Sequence, residues 1–262
     1  MQFLKYYQGI PLDLSDVSKL FKMIGNGITD KKKHLSETGY GDNKVRAIKE
    51  YLKDFDLLAE KGALTPLGSI VFKNDPRFLE PFTRWILLYH WSLKKNNPYL
   101  NFLVNETYGI TEKDKLEERF RMWASKNQIK TEYDKNKMVD GLMNLTKNAL
   151  IDINAFHYLN FFNKSGDMVS RGEPYHVETL LIAYIFYYNR KKRTSVGFSE
   201  LTQERDNVAL FFDFNHKVLE ERVIDLNNIG LTRLIQFADL HYVEYCYDGE
   251  ALELINKYYD EN

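Results

Sequence analysis

The stretch Trp85-Ile86-Leu87-Leu88-Tyr89-His90-Trp91 does most to limit how this chain can fold. Wound into a helix, it is apolar on nearly every side. Such a helix must be enclosed by other elements rather than laid on a surface. It reads as the central pillar of a helical fold, with His90 a core or rim histidine rather than a ligand. The chain has the material to enclose it: 44% of its 262 residues are hydrophobic, and 17 Phe, 18 Tyr and 3 Trp bring the aromatic share to 15%. A chain of this size buries roughly three-quarters of its unfolded surface, enough for one large core or several small ones. Six Pro and 14 Gly are few for a turn-rich β protein and favour helix.

Other classes drop out quickly. The single cysteine, Cys246, excludes an internal disulfide and a thiolate zinc site. The opening MQFLKYYQGIPLDL is too polar for a signal peptide. No run reaches the roughly 18 apolar residues of a membrane span. The expectation is a soluble cytoplasmic protein without membrane contact. Net charge is -1, yet residues 1–105 hold 16 Lys and Arg against 11 Asp and Glu, a local excess of +5. That bias fits binding to a polyanion, though ordinary solvated charge accounts for it equally well.

The N-terminal third has a recognisable order. Asp13 or Ser15 caps a first helix that stops at Gly25-Asn26-Gly27. Thr29 or Asp30 caps a short second helix, ended near Gly39. Asp42 or Asn43 caps a third, with Val45, Ile48, Tyr51, Leu52 and Phe55 forming one buried stripe to its end at Phe55. Leu57–Thr65 then turns on Lys61-Gly62 as a small hairpin, and Pro66 opens a new helix with Thr65 as its cap. Three helices followed by such a hairpin are the order of a winged helix-turn-helix, whose third helix enters a DNA groove. On that helix Arg46, Lys49 and Lys53 share the side opposite the apolar stripe, with Asn43 and Lys44 at its start. Asn43 and Arg46 are candidate base readers, and Lys44, Lys49 and Lys53 candidate phosphate contacts. The run Lys31, Lys32 and Lys33 on the supporting helix adds three more. This assignment needs the lysine-bearing side to face open solvent, away from acidic neighbours. A second basic run, Arg190, Lys191, Lys192 and Arg193, ends a long helix expected from Pro174 to Lys191. It is either another phosphate site or a cationic complement to the negative end of that helix.

Beyond residue 105 the pattern is helix, helix, a short extended piece at Leu150–Ile153, and a hairpin at Gly166-Asp167. This echoes the first unit. A tail with a helix from Asn215, an alternating strand Tyr242–Tyr247 and a last helix from Glu250 completes the chain. The fold class read from the sequence is mainly α. A winged helix-turn-helix N-terminal domain (1–105) precedes a second winged-helix-like unit (106–195) and a small C-terminal helical unit with short strands (196–262). No catalytic signature is visible. The six histidines show neither HxH nor HExxH spacing, there is no phosphate-binding GxxxxGK[ST] loop, and no GxSxG occurs. Asp152, with Glu132 and Asp134 upstream, is the nearest thing to a carboxylate set, and an ordinary strand-edge carboxylate is the better reading of it.

The segments GDNKVRAI (41–48), Tyr51-Leu52, LTPLG (64–68) and DPRFLEP (75–81), followed by Trp85-Ile86-Leu87-Leu88, resemble a bacterial family of uncharacterised proteins. These are encoded beside DNA phosphorothioation and phage-defence genes. The resemblance covers residues 37–95. The Ser-Gly-His-Glu-Thr-Phe opening common in that family is absent, residues 3–10 reading FLKYYQGI, and Tyr51 stands where a tryptophan is usual. The resemblance implies a role in DNA modification or anti-phage defence, and one branch resembles a nicking component of single-strand phosphorothioation systems. It carries over no catalytic residues.

Together these readings predict a DNA-binding protein of such a system, with double-stranded DNA as its partner. Other proteins of the gene cluster and a second copy of the chain are further expected partners, and no cofactor is required. Two alternatives stand beside it: a DNA nickase that would need Mg²⁺ or Mn²⁺, and a winged-helix protein adaptor.

Overall fold

The computed structural model describes residues 7–93, 97–106, 109–127, 133–237 and 240–262. Its architecture is mainly α with short β-hairpins. The chain packs as two compact units, one of residues 1–103 with 108–175, the other of 104–107 with 176–262.

The first unit opens with α1 (Leu14–Gly25), α2 (Lys31–Thr38) and α3 (Asp42–Asp54). Their ends follow local chemistry. Asp13 accepts from the backbone N–H groups of Ser15 and Asp16, and Asp30 does the same for Lys32 and Lys33. Gly39, at φ +73°, closes α2 in the left-handed region. The cap of α3 differs from expectation: it is Gly41, with no side-chain hydrogen bond, and Asp42 is already helical. The expected wing is shortened to one bridge pair, Leu58 with Leu64, around a turn in which Gly62 sits at φ +87°. Its arms cannot lengthen because the chain turns at once into α4 (Pro66–Asn74).

The motifs that carry the family resemblance turn out to be joints. Thr65 Oγ1 accepts from Gly68 N at 2.8 Å while donating to the Asp56 carbonyl. A Cβ on Gly68 would stand 2.1 Å from the Leu57 carbonyl oxygen, so only glycine lets α4 pack there. Buried Asp75 accepts from the backbone N–H groups of Leu79 and Glu80, both at 3.0 Å, and so sets the entry to α5 (Pro81–Leu93).

Helix α5 is enclosed as its composition requires, with Trp85 through Trp91 all buried. Around Trp91 stand Tyr51, Phe55 and Phe156, with ring centroids 6.0–6.1 Å away. Burying each such ring stabilises the unit by about 1.5–3 kcal/mol before entropy is counted. Tyr7 stacks on Tyr51 at 4.1 Å, donates from its hydroxyl to Asp54 at 2.5 Å, and accepts from Trp91 Nε1 at 2.8 Å. Burial, then the Asp54 carboxylate, pushes the Tyr7 phenol well above its ordinary value.

Next come α6 (Pro98–Asn105), β1 (Thr111–Glu112), α7 (Lys113–Lys126) and α8 (Tyr133–Ile151). Strands β2 (Phe162–Ser165) and β3 (Met168–Arg171) form the hairpin expected at Gly166, and β1 joins β3 to make an antiparallel sheet of order β1-β3-β2. Trp123 packs against Phe102 and Phe120. Leu150 and Ile151 end α8 rather than forming a strand, because Asp152 turns the chain by accepting from Asn154 N at 2.7 Å.

The second unit is built on α9 (Thr179–Tyr188), buried from Leu180 through Tyr187. It is shorter than the Pro174–Lys191 helix expected, because the left-handed backbone of His176 (φ +55°) and the Glu178 cap delay its start. It is followed by β4 (Ser195–Gly197), α10 (Phe198–Leu201), α11 (Val208–Phe212) and α12 (His216–Asn228). Strands β5 (Thr232–Phe237) and β6 (Leu240–Tyr245) then precede α13 (Ala251–Glu261). The sheet is antiparallel, in the order β4-β6-β5.

Candidate nucleic-acid interface

Helices α2 and α3 bring the sequence-predicted cations together on the first unit. Lys31, Lys32, Lys33, Asn43 and Arg46 are exposed, and Lys44, Lys49 and Lys53 are half-buried along the same region. The amphipathic pattern of α3 does turn Val45, Ile48, Tyr51 and Leu52 inward. The condition that this side be clear of acidic neighbours is met only in part: Lys31, Lys44, Arg46 and Lys53 face carboxylates, and Lys32, Lys33 and Lys49 do not pair with one among the described residues. Lys31 and Arg46 both pair with Asp42, the Arg46 contact at 2.6 Å. Lys44 pairs with Asp16 of α1 and lies over the Tyr40 ring at 4.3 Å. Lys53 reaches Glu60 at 3.0 Å and Glu50 at 3.3 Å.

These pairs are not equivalent. The Arg46 side chain is 61% exposed. An ion pair that open is worth about 0–1 kcal/mol, so a phosphate or a base edge displaces the carboxylate at little cost. Lys53, only 20% exposed and held by two carboxylates, is much less available. Burial alone would lower its pKa, yet Glu60 and Glu50 outweigh that and raise it. Lys32, Lys33 and Lys49 have no ion pair among the described residues. The Lys49 pKa is lowered, by burial first and then by the positive charges of Lys31 and Lys53. It is therefore a cation short of counter-charge. The sequence shows these lysines plainly but not the partners, since Asp16 lies on another helix and Glu60 beyond the turn.

The second basic run, in the other unit, is tied into its own surroundings. Arg193 contacts both Glu204 oxygens at 2.9 Å, Glu200 at 2.8 Å, and the Arg190 and Asn189 carbonyls. Arg190 donates to the Tyr247 carbonyl at 2.8 Å and lies over the Tyr187 ring. Lys191 pairs with Glu204 at 3.3 Å. Burial would raise the Glu204 pKa, but hydrogen bonds from Arg193 and Asn207 bring it below the ordinary range. Exposed Lys192 has no carboxylate partner among the described residues.

Among the described residues no three His, Cys, Asp or Glu side chains gather as a metal-binding set. Glu132 lies outside the described residues, as does the side chain of Asp134. No described helix is long and apolar enough to cross a membrane.

No family model matches the chain, and no curated protein matches it. Solved structures do. A crystal structure of SspB with bound magnesium superposes with a TM-score of 0.77 at 12% sequence identity, covering 99% of this chain and 88% of that chain. A second SspB crystal structure superposes with a TM-score of 0.74, at the same identity and coverage. At this level of identity the likeness is one of fold: nearly the whole of this chain shares the architecture of SspB.

Proposed function

We propose that this protein is a DNA-binding component of a bacterial phosphorothioation-type modification or defence system. The observation that supports this reading is the fold likeness to SspB along nearly the full chain. The motifs at 41–52, 64–68 and 75–88 point to the same kind of system independently of that superposition.

In this reading α3 is laid against duplex DNA, in the manner of a winged helix-turn-helix. Lys32, Lys33 and Lys49, which have no ion pair among the described residues, take phosphates, joined by Lys31 once it leaves Asp42. Asn43 and Arg46 reach base edges, with Arg46 exchanging Asp42 for a base or phosphate. Lys44 and Lys53 contribute field more than direct contact. Of the 190–193 run, Lys192 is the residue able to reach a phosphate without breaking an internal pair; Arg190, Lys191 and Arg193 serve chiefly to hold their own unit together. A mobility-shift titration of duplex DNA at low and moderate salt tests the proposal. Affinity that falls steeply with salt supports it. Absence of any complex at low salt ends it.

The nickase reading has no set of three His, Cys, Asp or Glu side chains to support it among the described residues. Supercoiled plasmid incubated with Mg²⁺ or Mn²⁺, with chelator as control, separates the two. Conversion to open circle in the metal lanes alone would favour the enzyme.

A further inference from the structure

Beside α3, within the first unit, lies a cleft of about 930 Å³ that shares Arg46 and Lys49 with the duplex-binding proposal but whose interior that proposal does not use. Pockets that hold small ligands span roughly 300–1,000 Å³, so this one is of ligand size. Its composition is divided. Ile24, Ala47 and Leu58 give it an apolar floor, all three of them buried. Lys49, Lys53 and Lys61 give it a cationic rim. Glu50 and Glu60 line it as well and share Lys53, whose one charge balances one of theirs, whereas Lys49 and Lys61 have no ion pair among the described residues.

One wall of the cleft is His34, which is 1% exposed. Its Nε2 donates to the Ile28 carbonyl at 2.8 Å, which leaves Nδ1 as an acceptor in the neutral ring. That Nδ1 has no hydrogen-bond partner among the described residues. Buried polar atoms are nearly always paired, so an orphan at the wall of a cleft marks a place where a donor group is wanted.

An apolar floor, a rim whose lysines outnumber its carboxylates and an unpaired acceptor are complementary to a molecule with a planar apolar part, a hydroxyl or amino donor, and an anionic end. We propose that this cleft binds a nucleoside monophosphate, free or as the phosphorylated end of a DNA strand. Its base would lie on the Ile24–Leu58 floor, its phosphate on Lys49 and Lys61, and a sugar hydroxyl or base amino group toward His34 Nδ1. The depressed pKa of Lys49 agrees, since a bound phosphate would restore its missing counter-charge.

Calorimetric titration of the full chain with deoxyadenosine monophosphate, deoxyadenosine and inorganic phosphate tests this. The nucleotide should bind at least about tenfold more tightly than either fragment. Phosphate binding as tightly as the nucleotide, or no binding by any of the three, overturns the proposal. Competition by a 5′-phosphorylated single-stranded oligonucleotide at lower concentration than the free nucleotide assigns the strand end as source; the reverse order assigns the free nucleotide. Ala63→Trp fills the exposed side of the cleft and removes no charge. It should weaken nucleotide binding about tenfold while leaving the duplex mobility shift in place, and so keeps failure here distinct from failure of duplex binding. Lys61→Glu, at an exposed position, should give a similar loss. Unchanged nucleotide affinity in both variants refutes the assignment.

Discussion

Two basic segments of this chain look alike as letters and differ as chemistry. Lys31–Lys33 lies on a short helix, and two of its three exposed lysines have no ion pair among the described residues. Arg190–Arg193 closes a buried helix, and three of its four cations are spent on carbonyls or on Glu204 and Glu200. Whether a cationic run is available to a partner depends on which carboxylates the fold delivers to it. Glu204 arrives from beyond β4, and nothing in the spacing of the run announces it. The same rule divides α3, where Lys49 has no ion pair among the described residues and Lys53 is held twice.

Replacing Glu204 is the largest expected test of this contrast. Glu204→Ala strips Arg193, Lys191 and Asn207 of their shared acceptor at a site where Glu204 is only 10% exposed. Denaturant unfolding should show a loss of about 1–3 kcal/mol. Asp42→Ala on the first unit removes exposed pairs only, so a loss above about 1 kcal/mol there would break the distinction. A smaller effect is expected in binding. Lys32→Glu with Lys33→Glu should weaken duplex DNA about tenfold or more at moderate salt and leave the unfolding midpoint unchanged. Arg193→Ala should do the opposite, lowering stability and sparing affinity. The smallest effect is in acid. The folded-state pKa of Glu204 lies below its ordinary 4.5. Its stabilisation is therefore complete above that pH and is lost as pH falls through the lower folded value. Acid unfolding of wild type and Glu204→Gln should converge in that range; parallel curves would remove the carboxylate from the account.

Much of the fold is legible in the sequence where one residue does one local job. Asp13, Asp30, Thr65 and Pro66 act at the helix starts expected of them, and the Trp85–Trp91 segment is enclosed as its composition demands. What the letters hide is tertiary. Gly68 reads as a helix weakener, yet the Leu57 carbonyl is what requires it. The wing shrinks to one pair because α4 begins immediately after it. Of the candidate interface, the cations were visible while their neutralisers, Asp16 and Glu60, were not. His34 gave no signal at all, because its unsatisfied nitrogen exists only once α2 is packed.

The placement of the three tryptophans has a practical consequence. Trp85, Trp91 and Trp123 all belong to the first unit, and residues 176–262 contain none. Indole emission therefore watches the larger unit while the smaller stays dark. Comparing that signal with far-ultraviolet circular dichroism during a melt would reveal whether the chain unfolds in one step or two, without attaching any label.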